Sequence, residues 1–243
     1  MARISIGTSG WSYDHWENVL YPEGLARWHR LAHYVDRFDT VELNASFYRW
    51  PRDASFASWR NRLPQGFQLS AKAPRGLTHA KKLYAPETWI DRIARAWHEL
   101  GDKRAVLLVQ LPPGMPRDDA RLDYFLGRLP DWIRVAVEFR HDSWHTDDVF
   151  RLLEAHGAAY CVMSGARLPC ILRVTAPFAY VRLHGPDSDW LYGGSYTDDD
   201  LRWWADRIRE WSDGGTDVFA YFNNDGGGNA VRNADTLRHF VGC

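Results

Sequence analysis

The chain is poor in cysteine, in net charge and in long apolar runs. Its three cysteines, Cys161, Cys170 and Cys243, are odd in number and lack the close spacing of a zinc knuckle or redox pair. That excludes a disulfide scaffold and fits a reducing compartment. Thirty basic residues against thirty-one acidic leave a net charge of −1, which argues against a large electrostatic footprint for nucleic acid or an anionic membrane. No apolar stretch approaches the ~20 residues a membrane helix needs. The amino terminus runs into a strand-like segment and not into a signal-peptide core, so we expect a cytoplasmic protein with no membrane association. A dinucleotide fingerprint is missing as well, because Gly7-Thr8-Ser9-Gly10 lacks the full glycine spacing. Neither a sequence repeat nor a low-complexity linker is evident.

Tryptophan, by contrast, is abundant, with thirteen in 243 residues. Trp28, Trp89, Trp97, Trp203 and Trp211 stand at helical spacing among apolar neighbours, as expected of helices packed on a sheet. Trp11, Trp50, Trp144 and Trp190 follow strand-like runs in loops, where an indole either walls a ligand or anchors the loop.

Apolar runs and amphipathic stretches alternate along the whole chain. Strands are expected at Ile4 to Gly7, Thr40 to Asn44, Phe67 to Lys72, Ala105 to Leu111, Arg134 to Arg140, Ala158 to Met163, Ala179 to His184 and Asp217 to Phe222. Helices are expected over Leu25 to Phe38, near Asp53 to Leu63 and Pro86 to Leu100, over Asp118 to Leu129, from the cap-like Thr146-Asp147-Asp148 to Gly157, over Asp198 to Trp211 and from a capping Asn229 to Val241. Only an irregular connection follows the sixth strand. Near-continuous apolar strands between amphipathic helices imply a parallel sheet covered on its outer face. Eight such alternations in 243 residues predict an α/β chain, a single (β/α)8 TIM barrel of one domain spanning 1–243, with an irregular or short sixth helix. The alternative is an open doubly wound sheet, which would usually advertise the missing glycine-rich turn.

Five of the apolar runs end in polar residues two apart, and side chains two apart share one face of a strand. In barrels of this type the C-terminal strand ends carry the chemistry. Glu42, Asn44, Lys72, Gln110, Glu138, Arg140, Arg182, His184 and Asn224 therefore become candidates, with Tyr48 and Trp144 in the adjoining loops. Lys72, Arg140 and Arg182 suit an anionic ligand, the arginines by bidentate grip of carboxylate or phosphate. Glu42 and Glu138 are candidates for proton transfer, with His184 as partner. The same charges also fit plain ion pairing between neighbouring strands.

These endings resemble the YecE-like family (domain of unknown function 72). The carrying segments are Gly7-Thr8-Ser9-Gly10-Trp11-Ser12-Tyr13, Val41-Glu42-Leu43-Asn44 with Phe47-Tyr48, Phe67 to Lys72 with His79, and Gln110-Leu111-Pro112-Pro113. Val137-Glu138-Phe139-Arg140-His141 with Trp144, Tyr180-Val181-Arg182-Leu183-His184-Gly185, and Tyr221-Phe222-Asn223-Asn224 with Ala230 and Asn233-Ala234 complete them. The resemblance implies a TIM barrel and lends no agreed activity. The family often has an Asp near the end of the sixth strand, where this chain reads Val162-Met163-Ser164-Gly165.

The expected function is an enzyme of hydrolase, lyase or isomerase type acting on a small anionic or polyhydroxylated molecule. A glycosidase reading takes Glu42 and Glu138 as the carboxylate pair, although strands two and five stand well apart around a barrel. A divalent metal reading joins Glu42, Glu138 and His184, with His79 or His141; the fixed cations Lys72 and Arg140 oppose it, and no cofactor is expected. The loop Asn223 to Asn229 offers either a phosphate cradle or a flexible turn. The connection from His184 to Tyr196 is long enough to close over a ligand. The alternative function is a non-catalytic binding protein for a small ligand or for single-stranded nucleic acid, held through exposed Trp, Tyr and Arg. The residues do not specify an oligomeric state.

Overall fold

A computed structural model describes residues 2–243. The strands are β1 Ile4–Thr8, β2 Thr40–Leu43, β3 Gln68–Lys72, β4 Arg104–Gln110, β5 Val135–Glu138, β6 Ala159–Ser164, β7 Phe178–Leu183 and β8 Asp217–Phe222. The α-helices are α1 Arg30–Val35, α2 Asp53–Arg62, α3 Glu87–His98, α4 Asp119–Arg128, α5 Asp147–Ala155, α6 Asp198–Asp213 and α7 Asn229–Val241. No α-helix intervenes between β6 and β7. Eight parallel strands alternating with helices make this a (β/α)8 barrel fold, as the alternation predicted. Among the described residues no helix is long and apolar enough to cross a membrane.

Strands β2, β3, β5 and β7 are buried along their whole length, the pattern of parallel strands covered on both faces. The helices bury one stripe each: Ile90, Ile93, Ala96 and Trp97 on α3, and Leu201, Trp204, Ala205 and Ile208 on α6. Helix α6 starts at a capping box in which the Thr197 hydroxyl and the Asp200 carboxylate satisfy each other's backbone N–H groups.

By contact density the chain divides into two compact units. One comprises residues 2–42, 162–172 and 177–243, and in it β8 pairs in parallel with both β1 and β7. A bridge from Ser9 to Glu42 joins the ends of β1 and β2 there. The other comprises residues 43–161 and 173–176, where β3, β4, β5 and β6 pair in that order. Its β3–β4 register shifts between Leu69 and Ala71 and sets Lys72 opposite Leu108, while Gln110 lies opposite Glu138. Such irregularities re-aim the side chains that follow them.

Several local expectations change. Helix α1 begins only at Arg30, so Trp28 lies on the preceding 3-10 turn, off the helical stripe and 72% exposed. Trp203 falls between the buried positions of α6, is 43% exposed and leans edge-on against Trp204. Thr146 takes the N-cap position of α5 without bonding its backbone, and its hydroxyl accepts from Arg117 Nη1 at 2.9 Å. Asn229 is the first residue of α7 and not its cap; the left-handed Gly228 precedes it, and Asn229 Nδ2 donates to the Gly194 carbonyl at 3.2 Å.

Candidate functional site

In the first unit the charged ends of β2 and β7 meet. Glu42 and Arg182 are both 0% exposed and form a two-pronged pair: Arg182 Nη2 donates to Oε1 at 2.7 Å and Nε to Oε2 at 3.0 Å. The Tyr180 hydroxyl donates to Oε2 at 2.7 Å, and the Ser9 hydroxyl donates to Oε1. Burial first, then the Glu42 charge, push the Tyr180 phenol well above its ordinary pKa, so it stays a donor. Each Glu42 oxygen thus receives two donors. The sequence suggested Glu42 for proton transfer; in the fold both of its oxygens are occupied by donors, two of the four from Arg182.

His184 directly follows β7 and is buried. Its Nδ1 lies 3.2 Å from Asn223 Nδ2, an amide nitrogen that can only donate. Asn224 is fully buried, and its Nδ2 donates to Asn233 Oδ1 at 2.8 Å and to the Gly194 carbonyl at 3.0 Å. Asn224 thereby ties the connection after β7 to α7. That connection also folds on itself, with Tyr192 N–H donating to the His184 carbonyl at 2.7 Å and the Tyr196 hydroxyl accepting from Gly185 N–H at 3.0 Å. In the loop after β8, Asp225 accepts from Trp16 Nε1 at 2.6 Å and pairs with His15 at 3.0 Å. A carboxylate anchored at that turn opposes the phosphate reading.

In the second unit the ends of β3, β4 and β5 carry Lys72, Gln110 and Glu138. Gln110 Nε2 donates to Glu138 Oε1 at 2.7 Å, Arg140 Nε donates to the same oxygen, and the Cys161 thiol lies 3.9 Å from Oε2. Lys72 is 7% exposed, with Nζ 4.4 Å from the centre of the Phe47 ring. Ser46 pins the intervening loop, its Oγ lying 2.6 Å from the carbonyl oxygens of both Lys72 and Leu43, which share its one hydrogen. Asn44 departs from the expected strand alternation: its φ of −78° and ψ of −28° are helical, and it begins the 3-10 turn Ala45–Phe47. Its Oδ1 is buried with no donor among the described residues.

His79 packs edge-on against the same Phe47 ring, centroid to centroid 4.8 Å. It sits on a π-helical turn, Gly76–Ala80, closed by Lys81 N–H donating to the Gly76 carbonyl at 3.0 Å. Single π-turns of this kind frequently mark functional sites. Gly76 is required there, because a Cβ would overlap the Trp89 ring. The Thr78 hydroxyl donates to the Pro74 carbonyl at 3.2 Å, so its one hydrogen is engaged. His79 Nδ1 lies 2.9 Å from that hydroxyl oxygen; with the Thr78 hydrogen on Pro74, Nδ1 is the donor and Nε2 of the neutral ring carries the lone pair. Burial first, then the charges of Lys72, Arg75 and Arg140, hold the imidazole below its ordinary pKa, with Glu138 opposing.

The sequence matches, over residues 5–243, the family described as "Protein of unknown function DUF72". The chain belongs to this DUF72 family. It is 28% identical over 269 aligned residues to the UPF0759 protein YunF of Bacillus subtilis, covering 96% of this chain and 93% of that protein. With the UPF0759 protein YecE of Escherichia coli K12 it shares 27% identity over 58% of this chain and 50% of YecE. The crystal structure of a DUF72 family protein from Thermotoga maritima superposes with a TM-score of 0.90 at 27% identity, covering 99% of this chain and 100% of that one.

Two loop aromatics of this DUF72 chain part company. Trp144 is fully buried, stacked on Phe139 at 4.8 Å, with Nε1 donating to the Met115 carbonyl at 2.8 Å. It therefore anchors its loop and presents no face to a ligand. Tyr48 is 73% exposed and meets Phe47 edge-on at 5.2 Å. Sequence reasoning did not rank His79, Arg75 and Phe47 among the site residues. All three lie among the short turns after β2 and β3, which carry no strand alternation; Phe47 and His79 stood within the family segments, and His79 also as an alternative metal ligand. Among the described residues no group of three or more His, Cys, Asp or Glu side chains is arranged to hold a metal ion.

Proposed function

We propose that this DUF72 protein is an enzyme that binds a small anion beside Lys72 and Arg140 and moves a proton through His79, with Glu138 orienting Arg140. One observation carries the reading: Lys72 Nζ and His79 share the Phe47 ring, 4.4 and 4.8 Å from its centre, and after burial the charges of Lys72, Arg75 and Arg140 disfavour the charged imidazole, with Glu138 opposing. Purely structural ion pairing favours balanced charge, whereas clustered cations around a neutral base suit a substrate that brings its own negative charge. The neutral ring, with Nε2 unprotonated, is in the state a general base needs near neutral pH. Carboxylates, phosphates and sugar phosphates are the ligand class, and Asn44 Oδ1 offers an acceptor for a ligand hydroxyl.

Thermal-shift titration with inorganic phosphate, pyruvate and sugar phosphates tests this. Saturable stabilisation is expected for the wild-type protein, to be lost in Lys72→Ala and Arg140→Ala variants that remain folded. Wild-type protein that no phosphate or carboxylate stabilises would overturn it. Salt-sensitive binding of single-stranded oligonucleotides without any small-anion shift would favour the non-catalytic binding protein.

A further inference from the structure

Lysine is scarce in this chain. Of its thirty basic residues only Lys72, Lys81, Lys82 and Lys103 are lysines, and arginine supplies the rest. Lys82 Nζ donates to the Gly114 carbonyl at 2.9 Å, Lys103 Nζ to the Pro64 carbonyl at 2.7 Å, and Lys81 is exposed. Lys72 differs from these three in its place on the fold. It ends a strand, is 7% exposed, and shares the Phe47 ring with His79. For gripping an anion, a planar guanidinium is the better group, and this chain uses it freely elsewhere. What a lysine offers and an arginine does not is an amine able to bond to carbon. Desolvation and cationic neighbours are the two settings that activate such an amine.

We propose that Lys72 Nζ is a nucleophile that condenses with the carbonyl carbon of a small anionic aldehyde or ketone. This rests on the anion-binding reading above and names the substrate class for it. The Nζ lone pair forms the new C–N bond while the carbonyl π pair moves onto oxygen. That oxygen leaves as water, taking one proton from Nζ and one from solvent, and a protonated imine remains. His79 Nε2 then takes a proton from the adjacent carbon, and the electron pair of the broken C–H bond flows into the imine to give a neutral enamine. The carboxylate or phosphate of the substrate faces Arg140.

Reductive trapping tests the proposal. The full chain is incubated with sodium cyanoborohydride and either pyruvate or dihydroxyacetone phosphate, and the four lysines are mapped by peptide mass spectrometry. Saturable labelling of Lys72 is expected, about tenfold or more faster than at exposed Lys81, with the preferred probe deciding between carboxylate and phosphate. Inorganic phosphate should protect Lys72 without altering the fold. A Lys72→Arg variant should keep the phosphate thermal shift and lose the label. Labelling at Lys72 no faster than at Lys81 would overturn the proposal. If the thermal shifts persist in that case, the anion-binding reading stands alone; if they are absent too, both fall.

Discussion

Replacing Arg182 by Met tests whether the Glu42 pair is the keystone of its unit. Both side chains are 0% exposed, and the guanidinium supplies two of the four hydrogen bonds that Glu42 receives, at 2.7 and 3.0 Å. Among the described residues, the variant leaves the buried carboxylate the Ser9 and Tyr180 hydroxyls as donors. Breaking one side of such a pair costs about 3–5 kcal/mol, because the surviving charge stays dehydrated. For a chain of this length each kcal/mol lowers the melting temperature by roughly 2–4 °C, so a fall of roughly 6–20 °C is expected. Glu42→Met should cost a similar amount, by removing the carboxylate partner of the buried guanidinium. The double variant, Glu42→Met with Arg182→Met, removes both charges and should recover at least ~2 kcal/mol of the summed single losses. Urea unfolding of the four proteins gives the coupling energy directly. Single losses below about 1 kcal/mol, the range of exposed ion pairs, would refute the argument.

Two further outcomes follow from the second unit. His79 should titrate below the ~6.5 of a free imidazole, because burial and then Lys72, Arg75 and Arg140 disfavour its charged form. The unfolded chain then binds the proton more readily, so this contribution to stability is present above about pH 6.5 and is lost as pH falls through the folded value. An NMR titration of the His79 ring checks this, as does a flatter stability profile in His79→Gln, and a value at or above 6.5 would contradict it. Trp144→Phe removes the Nε1 bond to the Met115 carbonyl and leaves that carbonyl without its indole donor. A loss of about 1–3 kcal/mol in thermal or urea unfolding is expected, with phosphate affinity unchanged; weakened phosphate binding in a folded variant would return Trp144 to the site.

The β/α alternation was legible in the sequence because period-two and period-3.6 patterns arise from backbone geometry local to each segment. Helix α7 occupies the predicted Asn229–Val241 and Lys72 ends its strand as predicted, while β4 and β5 stop at Gln110 and Glu138, one and two residues short of the expected Leu111 and Arg140. The same local logic failed at Trp28, where a 3-10 turn interrupts the helical period, and at Asn44, where the chain leaves the strand one residue early. Which groups meet was a tertiary decision. Glu42 and Arg182 are 140 positions apart, and nothing near either residue announces that the carboxylate will be filled by donors. The free nitrogen of His79 was likewise invisible: it depends on where the single hydrogen of Thr78 points and on cations delivered by two separate segments. A sequence states which side chains stand at a strand's end, but proton positions and local fields depend on distances that only the folded chain defines.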